Sequence, residues 1–170
     1  MKSKILAIFL AISLILAVPA TALAGNTITI TMTTGEVLGV SVSPDSWPLG
    51  TGITKNTAYH SVAPGFRATN DGNVNEDFTI AGANTTATHP WTLSGTLTNS
   101  ATEYCLGWAA SAQSAWPGDY AFINTGGVSL VSDVAANGGT YDFYLGLLTP
   151  LTIVGNEAHS TTVTISCAAH

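Results

Sequence analysis

Strict alternation of apolar and polar residues most constrains what this chain can fold into, and residues 27–33 show it best. There the sequence reads Thr-Ile-Thr-Ile-Thr-Met-Thr, with Ile28, Ile30 and Met32 at every second position. Because successive side chains of a strand point to opposite sides, this pattern predicts a β-strand with one apolar face and one threonine face.

Short segments of the same kind recur along the chain, with turn residues between them. The further predicted strands are residues 37–43, 65–69, 78–81, 91–96, 103–109, 128–131, 141–147 and 160–167. No later segment keeps a helical period over three turns, and residues 109–116 offer only a turn or two of helix. About eight or nine short strands predict an all-β fold, a single β-sandwich of immunoglobulin-like or jelly-roll type.

The N-terminus reads as a secretory signal peptide over residues 1–24. Lys2 and Lys4 precede an apolar run over residues 5–18, and Ala22-Leu23-Ala24 forms a cleavage site before Gly25. The run is shorter than the roughly 20 apolar residues that a membrane span needs. We therefore expect a secreted or cell-surface protein with no membrane segment after cleavage, and one sandwich domain over residues 25–170.

Charge argues against nucleic-acid partners. Removal of the signal peptide leaves two cations, Lys55 and Arg67, against ten acidic residues, a net charge of −8. Phosphate binding needs clustered Lys and Arg, so nucleic acid is not expected as a partner, and an anionic membrane surface is disfavoured for the same reason.

Two cysteines, Cys105 and Cys167, remain in a chain predicted to be exported. Export exposes thiols to oxidising conditions, so an intrachain disulfide is expected. It would close a loop of about 60 residues and stabilise the fold by roughly 4 kcal/mol on loop-entropy scaling. Free thiols or an intermolecular bridge are the alternatives.

The stretch from Thr69 to Asp77 allows two interpretations. Asp71, Asn73, Asn75 and Asp77 place oxygen atoms at alternate positions, as calcium loops do. In an extended strand, however, alternate side chains lie almost 7 Å apart, roughly too far to share one ion. Glu76 also replaces the glycine of helix-flanked calcium loops, so only weak calcium binding stays open.

The favoured interpretation is a hairpin with the three-residue loop Asp71-Gly72-Asn73. This register places Phe66 opposite Phe78 on the inner face. It also places Arg67 opposite Asp77 on the outer face, so that an apolar pair and an ion pair form together.

Catalytic signatures are missing from the sequence. The four histidines lack metal-like spacing, and there is no nucleophile elbow or phosphate loop, so we expect no enzyme activity. Trp47 and Trp116 each precede a proline in a predicted loop and are candidate binding residues for a glycan or a protein. Trp108, by contrast, shares the phase of Tyr104 and Leu106, which predicts a core position.

Several segments together resemble small exported immunoglobulin-like sandwich proteins of bacteria and archaea. They are residues 42–47, 66–74, 143–150 and 162–165. The architecture is similar to that of camelysin-like matrix fibre subunits and archaeal bundling pilins, which polymerise by lending an N-terminal strand to a neighbour. The resemblance implies a non-enzymatic surface or matrix protein and carries no catalytic residue to this chain.

Two functional hypotheses follow. The first is a structural subunit of the cell surface or extracellular matrix that self-assembles into fibres, because residues 25–33 form a terminal strand that Gly35 could hinge. Pairing of that strand within its own sandwich is the alternative. The second hypothesis is a glycan- or protein-binding module that uses exposed aromatic residues.

Overall fold

The computed structural model describes residues 30–33 and 35–170. The chain divides into two compact units, Met1–Thr34 and Gly35–His170. In the first unit, residues 30–33 are exposed and lie outside any strand, so the strand predicted over residues 27–33 is wrong at these four residues. The predicted signal peptide and residues 27–29 of the predicted first strand lie outside the described residues.

The second unit is all-β. Its strands are β1 (Val40–Ser43), β2 (Ala58–His60), β3 (Phe66–Asn70), β4 (Glu76–Gly82), β5 (Thr92–Leu93), β6 (Glu103–Ala109), β7 (Ala121–Ile123), β8 (Val128–Val134), β9 (Thr140–Leu148) and β10 (Val163–Ala169). The described residues contain no helix, and so none with the length and apolarity to cross a membrane. Of the residues 109–116 considered for a helical turn, Ala109 ends β6 and the others form bends and irregular chain.

The strands form two sheets. The large sheet has seven strands in the order β1-β3-β9-β6-β5, with β2 added beside β9 and β7 beside β6. The small sheet has three strands in the order β10-β4-β8. All pairings between strands are antiparallel except that of β5 with β6. The predicted all-β sandwich is confirmed, with ten strands in the described residues.

The core lies between the two sheets and follows the alternation of the sequence. Its buried members include Phe66, Ala68, Phe78, Ile80, Tyr104, Leu106, Ile123, Leu130 and Phe143. Phe66 and Phe143 are register partners on β3 and β9, and their ring centroids lie 5.5 Å apart. Trp108 packs against this cluster, as its phase predicts.

The predicted β3–β4 hairpin is wrong. Strand β3 pairs with β1 and β9 in the large sheet, whereas β4 pairs with β8 and β10 in the small sheet. Residues between them therefore cross from one sheet to the other. The ion pair also changes partner: Arg67 lies opposite Asp142 on β9, with Nε–Oδ1 at 2.6 Å and Nη2–Oδ2 at 2.8 Å. This hydrogen bonding lowers the pKa of the exposed Asp142 carboxyl.

Candidate association site

The corner segment, residues 70–77, joins the two sheets, and a buried asparagine holds its start. Asn70 ends β3 and is fully buried. Its amide nitrogen donates to the carbonyl oxygens of Val74 and Val134, both at 2.9 Å, and its Oδ1 accepts from the Gly72 amide at 2.8 Å. One side chain thus satisfies three backbone groups, two of them in buried hydrogen bonds, which fixes the crossing between the sheets.

A buried carboxylate holds the end of the corner segment. Glu76 begins β4 and is fully buried, and its Oε1 accepts from the Gly39 amide at 2.8 Å. Its Oε2 has no partner among the described residues. A Cβ on Gly72 would lie 2.3 Å from Glu76 Oε1, so only glycine allows the carboxylate this position. The corner also pairs with the chain before β1, since the Asn73 amide donates to the Val37 carbonyl at 2.9 Å.

The candidate calcium ligands have partners on separate segments. Asn73 Oδ1 accepts from the Val37 amide at 2.8 Å, and Asn75 Oδ1 accepts from the Ala136 amide at 3.1 Å. Asp77 Oδ1 accepts from the Asp133 amide at 2.9 Å. Asp71 is exposed.

In the described residues, no group of three or more His, Cys, Asp or Glu side chains is arranged to hold a metal ion. Calcium binding at the corner segment stays a prediction.

The C-terminal residue closes one side of the corner. His170 Nδ1 lies 2.7 Å from Asp77 Oδ1, and the His170 amide donates to the Asn75 carbonyl at 2.9 Å. The hydrogen bond with Asp77 raises the pKa of His170. The sequence gives no signal for this contact, because His170 and Asp77 lie 93 positions apart.

The expected disulfide between Cys105 and Cys167 is not formed, and both thiols are free. Cys105 on β6 alternates with the core residues Tyr104 and Leu106, so it points to the outer face of the large sheet. Cys167 on β10 packs against the core between the sheets. The two side chains thus lie on opposite sides of the large sheet. Burial raises the pKa of the Cys105 thiol to about 11.

Trp116 is a structural residue of the outer face of the large sheet. Gly107 and Gly146 are register partners there, and their missing side chains leave room for the Tyr120 ring. Trp116 packs on Tyr120 with ring centroids 5.3 Å apart, and its indole Nε1 donates to the Leu97 carbonyl at 3.0 Å. The indole N–H and one side of the ring are therefore occupied by other residues of the chain.

Trp47 lines a shallow cleft of about 210 Å³ at one end of the sandwich. Pro44, His60 and Pro64 share the cleft with exposed Val62. Trp47 is half-buried, and it packs against the core cluster from outside. The structure thus separates the two candidate binding tryptophans and places Trp47 in the wall of this cleft.

A histidine cluster lies in the loops that lead to β5 and β10. His159 stacks on Trp91 with ring centroids 3.9 Å apart. Glu157 accepts from the Thr88 and His89 amides at 2.9 and 3.0 Å, and its Oε1 lies 3.8 Å from His159 Nε2. Burial lowers the pKa of His159, and the nearby Glu157 carboxylate opposes this only in part.

The edges of the two sheets differ in length. The large sheet ends in β1, β2, β5 and β7, which have four, three, two and three residues. The small sheet ends in β8 and β10, which have seven residues each. A long edge strand exposes a row of unpaired backbone groups that can pair with another chain. The small sheet therefore carries the candidate association site.

Apolar side chains of the N-terminal unit are exposed. Ile30 and Met32 are 76% and 84% exposed, the latter being the highest value among the large exposed hydrophobic residues of the described chain. They belong to the alternating stretch over residues 27–33. A strand pattern whose apolar side faces solvent is typical of a segment that pairs elsewhere.

Comparisons of the chain with models of protein families, with curated proteins and with solved structures found no match.

Proposed function

We propose that this protein is a secreted, non-enzymatic structural subunit of the cell surface or extracellular matrix, and that copies assemble by adding the N-terminal strand of one to the sandwich of another. One observation carries the proposal: Ile30 and Met32, in a segment with a strand pattern, are exposed and outside any strand. Burial of each such side chain in a neighbour would contribute about 1.5–3 kcal/mol.

The polar surface supports a structural rather than a catalytic role. Several of the described acidic side chains accept hydrogen bonds that hold loops to the sandwich, such as Glu157 from Thr88 and Glu76 from Gly39.

Light scattering on residues 25–170 over a range of concentrations tests assembly. We expect masses well above that of one chain, and filaments in electron micrographs of the same samples. Dissolution of these assemblies by a chelator would assign calcium a role at Asp71–Asp77. A monomer at every concentration, with and without calcium, would rule out the proposed function.

Export has its own test. Expression in a bacterial host with a secretion pathway, followed by mass spectrometry of the protein outside the cytoplasm, should show an N-terminus at Gly25. Retention of residues 1–24 in all fractions would contradict the expected localisation.

A second candidate function rests on the Trp47 cleft. A tryptophan with an open face beside two prolines is a surface on which a sugar ring or an apolar side chain can stack. Retention on polysaccharide columns, lost in Trp47→Ala and kept in a correctly folded Trp116→Ala variant, would support a binding module. Equal retention of both variants would exclude the cleft.

A further inference from the structure

We infer that β10 is the edge that receives residues 27–33 of a second copy of this chain. This inference rests on the proposed assembly and names the surface that carries it. Four features of β10 distinguish it from the other strands at the ends of the two sheets: its length, its regular register, its composition and the spacing of its inward side chains.

Length selects β8 and β10 as candidate edge strands, and regular pairing then selects β10. The strands at the ends of the large sheet are all shorter than five residues, and short edge strands protect a sheet against pairing. Of the two long edges, β8 pairs irregularly with β4, with register shifts around Phe78, and Asp133 in β8 has a φ of 59°. Bulges and charges are further devices that protect an edge.

Strand β10 has none of these protective devices. It pairs with β4 over seven consecutive residues, from Val163 with Gly82 to Ala169 with Glu76, without a register shift. Its sequence, Val-Thr-Ile-Ser-Cys-Ala-Ala, has no charge and no proline. A long, regular and uncharged edge strand is the kind that accepts another strand.

The inward side chains of β10 match those of the incoming segment in number and spacing. Val163, Ile165 and Cys167 alternate along β10 and are only partly buried against the core. Ile28, Ile30 and Met32 alternate over the same length. An added strand with these three residues turned inward would cover the half-exposed row on β10, while its threonines would face outward beside Thr164 and Ser166.

The free Cys167 thiol makes the pairing testable by cross-linking. In a parallel pairing Met32 lies opposite Cys167, and in an antiparallel pairing Ile28 does; Ile30 lies opposite Ile165 in both. Met32→Cys and Ile28→Cys variants of residues 25–170 are assembled and oxidised, and the disulfides are mapped by peptide mass spectrometry. Thr31→Cys, which places the thiol on the other face, is the matched control.

We expect an interchain disulfide to Cys167 in the Met32→Cys or the Ile28→Cys variant, and none in the Thr31→Cys variant. In wild-type assemblies, maleimide labelling of Cys167 should also slow by at least about tenfold, because a paired edge must open before the thiol reacts. This second measurement needs no substitution and stays valid if a cysteine variant fails to fold.

Other outcomes would contradict the assignment of β10, the second copy as the occupant, or self-assembly as a whole. Assemblies with no linkage to Cys167 and with unchanged labelling would overturn the assignment of β10 and leave self-assembly standing. A linkage to Cys167 within one chain would overturn the second copy as the occupant. Absence of any assembly would overturn both the inference and the proposed function.

Discussion

The large sheet ends in strands of two to four residues, whereas the small sheet ends in two strands of seven. The large sheet is also covered on its outer face, because Tyr120 and Trp116 pack over Gly107 and Gly146. The small sheet ends at β10 in a regular row of uncharged residues. Within one sandwich, the large sheet thus has short edge strands and a packed outer face, whereas the small sheet has one long, regular edge at β10.

The corner segment connects these two unequal sheets, and its buried side chains belong to both. Asn70 ends β3 of the large sheet and hydrogen-bonds Val134 of β8 in the small sheet. Glu76 begins β4 of the small sheet and hydrogen-bonds Gly39, just before β1 of the large sheet. The small sheet is therefore held to the large sheet by polar contacts at the corner segment as well as by the apolar core.

The largest effect is expected from Asn70→Ala, which breaks the connection between the sheets. The change leaves two carbonyl groups and one amide without their partner in a buried place, so the free energy of unfolding should fall by about 3 kcal/mol or more. Urea unfolding followed by circular dichroism measures it. Asn124→Ala removes one exposed turn hydrogen bond and should cost less than about 1 kcal/mol. Equal losses in the two variants would contradict the role of Asn70.

A smaller effect is expected from Gly146→Ala, which disturbs the cover of the large sheet. The new Cβ would lie 2.5 Å from Tyr120 Cζ and 2.9 Å from a Trp116 ring carbon. Displacing the two rings should cost about 2 kcal/mol and alter the near-ultraviolet circular dichroism.

The matched control for this change is Gly95→Ala. A Cβ at Gly95 meets nothing within 4 Å, so its unfolding free energy should stay within about 0.5 kcal/mol of wild type. A Gly146→Ala variant as stable as this control would contradict the close packing of Tyr120 and Trp116 over Gly146.

The smallest effect is a pH dependence of opposite sign at two histidines. The pKa of His159 is lowered below 6.5 by burial. Its contribution to the free energy of unfolding is therefore present above pH 6.5 and is lost as pH falls through the lowered pKa. The pKa of His170 is raised above 6.5 by Asp77. Its contribution to the free energy of unfolding is therefore present below pH 6.5 and is lost as pH rises through the raised pKa.

Unfolding free energies between pH 5 and 8 separate the two contributions. His159→Gln should flatten the decline on the acid side of pH 6.5, and His170→Gln should flatten the decline on the alkaline side. Identical pH profiles for wild type and both variants would show that neither contact is linked to folding.

Alternation along the chain was enough to predict the class of fold and its central strands. Residues 103–109 are β6 as predicted, and β9 extends the predicted residues 141–147 by one residue at each end. These strands are long and lie where one face is buried, so their period-2 pattern is clear. The short strands β2 and β7 have three residues each and no such pattern, and the sequence missed them.

Pairing between strands could not be predicted from adjacent residues. A hairpin over residues 66–78 would pair two apolar residues, Phe66 and Phe78. In the structure, Phe66 pairs with Phe143, and Phe78 pairs with Cys167 and Val131. An apolar residue on β3 satisfies the same rule with any strand that offers an apolar partner. The buried state of Glu76 was missed for a related reason, because its hydrogen-bond partner, Gly39, lies 37 positions earlier.

Light scattering on three forms of residues 25–170 tests whether copies assemble by burying the apolar side chains of residues 27–33. Ile30→Lys places a charge among these apolar side chains, and Thr31→Lys places the same charge among the threonines. We expect assemblies for wild type and Thr31→Lys and a monomer for Ile30→Lys. Assembly of Ile30→Lys to the wild-type extent, or a monomer in all three forms, would contradict this expectation.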